Sequence, residues 1–170
     1  MKLRVYGIGT LAVVCVVFCV VAATFAANPT QSGNDQQLPF RGSYTEQTHA
    51  IVSPELIEIH GSQEGTATHL GNFRATTVDF VNPAVNTGTG TFDFTAADGD
   101  RLFARTQGGE TEFIPPNESH VTLNAKIIGG TGRFANASGE FTVRFIEKTD
   151  FATATGVGYG SFEGYIRLNE

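Results

Sequence analysis

Few residues of this chain could move a proton. Histidine is the side chain that titrates near neutral pH without help, and the sequence has four: His49, His60, His69 and His120. They are scattered, with no pair at the spacing of a metal-ligand set, and zinc needs about three or four converging ligands. No metal site is expected. His69 stands in the segment Thr68-His69-Leu70-Gly71-Asn72-Phe73, where two placements are open. A barrel-facing imidazole would serve as acid or base; an imidazole hydrogen-bonded near a strand end would be structural. Glu46 shares strand parity with Phe40 and Tyr44, so if those aromatics point inward its carboxylate follows them. A buried carboxylate has a raised pKa and can give or take a proton. A break of register near Thr45 would instead set Glu46 at a wet rim. Tyr44, Glu46 and His69 are therefore the candidate ligand-binding residues, and no residue is assigned a catalytic role.

Other chemistries lack their residues. Both cysteines, Cys15 and Cys19, lie in the apolar N-terminal segment, so the exported domain has no disulfide and no thiolate site. There is no Gly-x-Ser-x-Gly nucleophile elbow; the nearest stretch, Gly158-Tyr159-Gly160-Ser161, has Ser161 outside that spacing. Asp93, Asp98 and Asp100 lack the ligand order and closing glutamate of a calcium loop. Gly129 to Gly132 lacks the Lys-Ser/Thr ending of a phosphate loop, and no helix signal follows it. No cofactor is expected. Eleven Lys plus Arg against 17 Asp plus Glu give a net charge of -6 with no basic run, which argues against a nucleic-acid partner.

The elements that must position these residues begin after an address segment. Lys2 and Arg4 form a short basic region, Leu11 to Val21 is apolar, and Val21-Ala22-Ala23 or Thr24-Phe25-Ala26 offers small residues for a signal-peptidase cut near Ala23 to Ala27. Residues 1–27 read as a signal peptide. An uncleaved signal-anchor is the alternative, since the apolar run approaches the roughly 20 residues that span a bilayer. Val14 before Cys15 and Phe18 before Cys19 argue against lipidation. Either way the rest is translocated, a secreted or extracytoplasmic domain with no membrane contact of its own once the segment is cut. Without Lys2 and Arg4, 9 basic residues face 17 acidic ones, a net charge of -8 that favours solubility. Residues 28–39 are polar without an apolar period and read as a flexible linker.

Residues 40–170 use a strand-and-turn vocabulary of Thr, Phe, Val, Ile and Gly. Val121, Leu123, Ala125 and Ile127 alternate with polar residues, as do Phe141, Val143 and Phe145, and Phe162, Gly164, Ile166 and Leu168. Each run has one apolar and one polar face. Asp98-Gly99 marks a hairpin. Strands are expected near Phe40–Ala50, Leu56–Gly61, Ala67–Asp79, Gly90–Ala96, Arg101–Gln107, His120–Ile128, Gly139–Glu147 and Gly156–Leu168. Eight such segments with short connections predict an all-β fold: a single antiparallel, calycin-like, eight-stranded β-barrel, in which closure removes the sheet edges. A two-sheet sandwich would use the same alternation.

The most specific motif is Ile127-Ile128-Gly129-Gly130-Thr131-Gly132-Arg133-Phe134, followed by Ala137-Ser138-Gly139. Its glycines let an arriving strand turn sharply, Phe134 plugs one end of a barrel, and Gly139 permits close backbone approach as the next strand leaves. This segment resembles the Gly-Gly-Thr-Gly-x-Phe, then Ala-x-Gly, signature of dirigent proteins and of the allene oxide cyclase barrel superfamily. The stretches Thr68–Phe73 and Gly90–Asp100 agree with exported members. The resemblance implies a barrel that confines a small apolar molecule and acts on it as an isomerase, a cyclase or a stereochemical guide, and it also implies a homo-oligomer. The family's catalytic polar residues are not placed on this chain, because outside the glycine motif the resemblance does not align residue by residue. A non-catalytic binding or structural barrel, with its interior simply packed, is the alternative.

Overall fold

Alternating apolar and polar residues need a surface that is dry on one side and wet on the other, and closing a sheet on itself provides it without leaving an edge. The computed structural model, which describes residues 36–85 and 87–168, has this form. The expected signal segment, and the expected linker as far as residue 35, lie outside the described residues. Eight strands follow one another: β1 (Leu38–Val52), β2 (Ile57–Ala67), β3 (Gly71–Asn82), β4 (Thr87–Thr95), β5 (Arg101–Ile114), β6 (Glu118–Gly130), β7 (Ser138–Asp150) and β8 (Thr155–Arg167). Each pairs antiparallel with the next, and β8 returns to β1 through a ladder from Leu38–Ile166 to His49–Thr155. That last ladder makes the fold a closed barrel and not a sandwich.

Most strands run a few residues beyond the expected bounds, and three of the differences shape the barrel. The expected strand Ala67–Asp79 is broken by a turn at Thr68–Leu70, while β2 continues to Ala67 through Ser62-Gln63-Glu64-Gly65-Thr66. The inward positions of β2 there are Gln63 and Gly65, so the apolar alternation that marks a strand is missing. β5 runs on to Ile114 past a register shift between Thr106 and Gly108. The bulge swaps the faces, so that Gly109, Thr111 and Phe113 pair with the inward Leu123, Val121 and Ser119 of β6. β1 begins at Leu38, two residues before the expected start at Phe40.

One end of the barrel is packed shut. Phe40, Phe94, Phe141 and Phe162 meet inside it, with ring centroids 4.8 Å apart for Phe40 and Phe162 and 5.3 Å for Phe40 and Phe141. Such pairs add about 0.5–1.5 kcal/mol each beyond area burial. Phe134, from the short 3-10 turn Gly132–Phe134, and Leu70, from the β2–β3 turn, are fully buried and close this end. Arg133 ties its three turns together: it pairs with Asp98 and lies near Asp100 in the β4–β5 turn, donates to the His69 carbonyl at 2.7 Å, and lies over the Phe134 ring. Gly132 sits at φ +53°, where a Cβ would also run into the Asp100 carboxylate, so this position requires glycine on two counts.

Candidate functional site

Above the aromatic plug the inward-facing side chains change character. Along β1 the inward series continues Tyr44, Glu46, Thr48; β2 offers Gly61 and Gln63; β3 offers Thr77 and Asp79; β7 offers Glu147. Glu46 lies opposite Gln63 on one side and, across Gly158, in the same row as Glu147 on the other. The result is an acidic belt around the barrel wall. Farther from the plug the lining turns apolar again, with Ile59, Val81 and Val121 half-buried, while Leu123 packs against the core. A polar belt thus sits between a dry plug and an apolar throat.

Glycines make the room for it. The Tyr44 ring lies over Gly160, with Cζ 2.8 Å from where a Cβ would stand. A Cβ on Gly61 would come within 2.6 Å of Glu46 Oε1 and run into the Thr77 hydroxyl. On Gly90 it would meet the Asp79 carboxylate and, at 2.9 Å, Thr106 Oγ1. Four of these polar groups have atoms that find no protein partner: Tyr44 Oη, Glu46 Oε2, Gln63 Oε1 and Thr106 Oγ1 are buried without a hydrogen bond. Burial without a partner costs about 1–3 kcal/mol per group, and such groups collect at sites where something else binds.

The electrostatics follow from this geometry. Glu46 is 7% exposed. Burial pushes its carboxyl up to about 7; the Gln63 amide, donating to Oε1 at 3.1 Å, acts in the opposite direction, and the nearby Glu147 and Asp79 charges add to the rise. Asp79 is raised to about 6 by burial and by Glu147. The Tyr44 phenol is pushed up by burial and then by the charges of Glu46 and Asp79, so it stays protonated. Glu147 is held differently, each oxygen accepting a hydroxyl, from Thr48 and from Thr149, at 3.1 Å.

No family model and no curated protein matches the chain. Among solved structures the barrel is similar to that of the pterocarpan synthase dirigent protein GePTS1, with a TM-score of 0.46 and 12% identity over 86% of this chain and 100% of that one. The likeness is one of barrel architecture.

Of the three residues singled out from the sequence, the structure brings two together. Tyr44 and Glu46 are neighbours on the inner face of β1. His69 is elsewhere: it occupies the β2–β3 turn at the plugged end, at φ +64°, with its carbonyl bound by Arg133. The motif residues Gly129, Gly130, Thr131, Gly132, Phe134 and Gly139 also belong to the plugged end, where Phe134 fills the barrel and the Thr131 hydroxyl accepts the Arg101 amide. Gln63, Thr77, Asp79 and Glu147 were not singled out. The parity rule that selects Glu46 also selects Glu147, which follows Phe141, Val143 and Phe145 at intervals of two. Two surface depressions, of about 580 Å³ beside Arg41 and Asn72 and of about 280 Å³ beside Ile146 and Tyr159, lie outside the barrel and include none of the belt residues.

Proposed function

We propose that this chain is an exported, dirigent-like or allene oxide cyclase-like barrel that binds a small molecule with an apolar body in its upper lumen and acts on it as an isomerase or cyclase. The observation that carries this reading is the group of unpartnered, buried polar atoms on Tyr44, Glu46 and Gln63, set beneath an apolar throat. An apolar body in the throat would exclude water and orient the molecule. Glu46, with a carboxyl that titrates near neutral pH, would give a proton to one atom of the substrate and recover one from another. The chain's own contribution is then confinement plus one titrating group, with Tyr44 as a hydrogen-bond donor beside it.

A non-catalytic binding barrel is the second reading. It is favoured by Glu147, whose two oxygens are already held by threonine hydroxyls, which leaves Glu46 without a free relay on that side. Native mass spectrometry of the protein purified from its own host tests both readings, beside a denatured aliquot and the Glu46→Gln variant. A retained small molecule that wild type converts and the variant only binds supports the catalytic reading. Binding without conversion by either protein supports the second. A barrel that is empty as purified and stays empty after incubation with lipid, phenolic and amine compounds overturns both.

A further inference from the structure

The belt is one-sided in charge. Glu46 from β1, Asp79 from β3 and Glu147 from β7 face the lumen, while the inward positions of β2, β4, β5, β6 and β8 carry no titratable side chain. Among the described residues no Lys, Arg or His stands at an inward position. Arg105, Lys126, Arg144 and Lys148 lie on the outer face and are exposed, and His60 and His120 pair on that face with Glu58 and Glu118. The unpartnered atoms are biased as well. Gln63 directs its amide NH2 at Glu46 Oε1, which leaves its carbonyl free, and Glu46 Oε2 is a second free oxygen. Both residues are more than nine-tenths buried. When Glu46 is ionised, the lumen offers acceptors and negative charge, and its donors are neutral hydroxyls, those of Tyr44, Thr77 and Thr106, with that of Thr48 already given to Glu147. The carboxylates are spread over three strands and do not converge as a metal-ligand set.

Building on the lumen site proposed above, we infer that its ligand is an amphiphilic organic amine, with the ammonium group seated between Glu46, Gln63 and Asp79 and the apolar body in the throat of Ile59, Val81 and Val121. An ammonium brings three donors and one positive charge, and so satisfies the free oxygens and relieves the repulsion among the carboxylates. A carboxylate at the same place would add a fourth negative charge to a lumen without a cation. A neutral alcohol would satisfy one acceptor and leave the charge as it is. Association needs the carboxylates ionised, so affinity for an amine falls as pH drops through about 7 and then about 6, the values of Glu46 and Asp79.

Octylamine, octanol and octanoate share one body and differ only at the head. Each is titrated into the full exported protein by calorimetry at pH 8 and at pH 5, with NMR of the Ile59, Val81 and Val121 methyl groups to locate binding. Octylamine is expected to bind about tenfold or more tighter than octanol at pH 8, equivalent to about 1.4 kcal/mol, with octanoate the weakest. The amine is expected to lose most of that advantage at pH 5, while octanol is unchanged. Glu46→Gln and Asp79→Asn should each reduce the amine preference and keep octanol binding, which also reports that the variant is folded. Octanol binding in the throat as tightly as the amine, or octanoate binding tightest, overturns the inference and leaves the lumen site standing. If none of the three moves the throat methyls, the site and the inference fall together.

Discussion

The Gln63 side-chain amide donates to one oxygen of the Glu46 carboxylate at 3.1 Å, directly across the β1–β2 ladder, while the other Glu46 oxygen is buried with no protein partner. A buried carboxylate with one hydrogen bond is held in place but not satisfied. Its proton affinity rises, and its free oxygen is left inside the barrel without a partner. The chemistry proposed for this barrel turns on that half-satisfied group.

The same relationship sets a pH dependence of stability. The folded carboxyl of Glu46 titrates at about 7, and its ordinary value is 4.5. Between those values the folded state holds a proton that the unfolded chain has released, so stability falls as pH rises from about 4.5 to about 7 and is flat above that. For a group this buried, the loss from Glu46 is about 3 kcal/mol across the window. Thermal unfolding is expected to occur several degrees higher at pH 5 than at pH 8. Glu46→Gln should flatten the profile above about pH 6, leave the fall that Asp79 contributes below it, and be the more stable protein at pH 8. A variant that follows wild type across the whole range would remove Glu46 as the cause.

Tyr44→Phe separates stability from binding. The Tyr44 hydroxyl is buried and unpartnered, so deleting it removes a polar group that folding leaves unsatisfied. The variant should equal wild type or exceed it by about 1 kcal/mol in denaturant unfolding. Its affinity for an octyl amine should drop several-fold, because the hydroxyl beside Glu46 is lost. A clear loss of stability would mean that the hydroxyl has a partner in the empty protein.

The inward turn of Glu46 was legible because Phe40 and Tyr44 precede it at even spacings, six and two residues back, and no bulge interrupts β1. The eight strands were legible for the same reason, since alternation survives in most of them. Closure was not, because a sandwich and a barrel share that alternation and only the β8–β1 ladder separates them. Asp79 was hidden as the last residue of an expected strand that in fact runs on to Asn82. Gln63 was hidden because the inward side of β2 at this level holds an amide and glycines, which read as loop. His69 was misleading for a related reason: Leu70 looks like a strand residue, but it points into the plug from a turn. Parity finds inward polar residues where their neighbours are apolar and loses them where the lumen itself becomes polar, as it does in this belt.

The plugged end should carry stability without touching the belt. Phe134 is fully buried among aromatic and aliphatic side chains, and Phe134→Ala should cost about 3–5 kcal/mol. Arg133 joins three turns from a partly exposed position, so Arg133→Ala should cost about 1–2 kcal/mol. Octylamine affinity should be unchanged in Arg133→Ala once temperature is adjusted for stability. A weakened amine would show that the two ends of the barrel are coupled.

Gly61 and Gly88 both face the lumen, yet adding a methyl group should have opposite consequences. At Gly61 the new Cβ would strike the Thr77 hydroxyl and stand 2.6 Å from Glu46 Oε1. The Thr77 hydroxyl is held on a β-branched side chain, whereas the Glu46 carboxylate ends a flexible one and has to swing aside. Gly61→Ala should therefore cost about 1–3 kcal/mol and displace the Glu46 carboxylate from Gln63, abolishing amine binding. At Gly88, nearer the mouth, the nearest atoms are the Phe80 carbonyl at 3.3 Å and Val81 Cγ2 at 3.4 Å, contacts that a few tenths of an ångström would relieve. Gly88→Ala should then be close to neutral, since the stiffer unfolded chain offsets a small crowding cost, and it should bind octylamine as wild type does. Denaturant titration together with calorimetry on the two variants checks the contrast. Equal behaviour at the two positions would mean that the polar side chains around Gly61 move freely, contrary to a belt held in place by its own crowding.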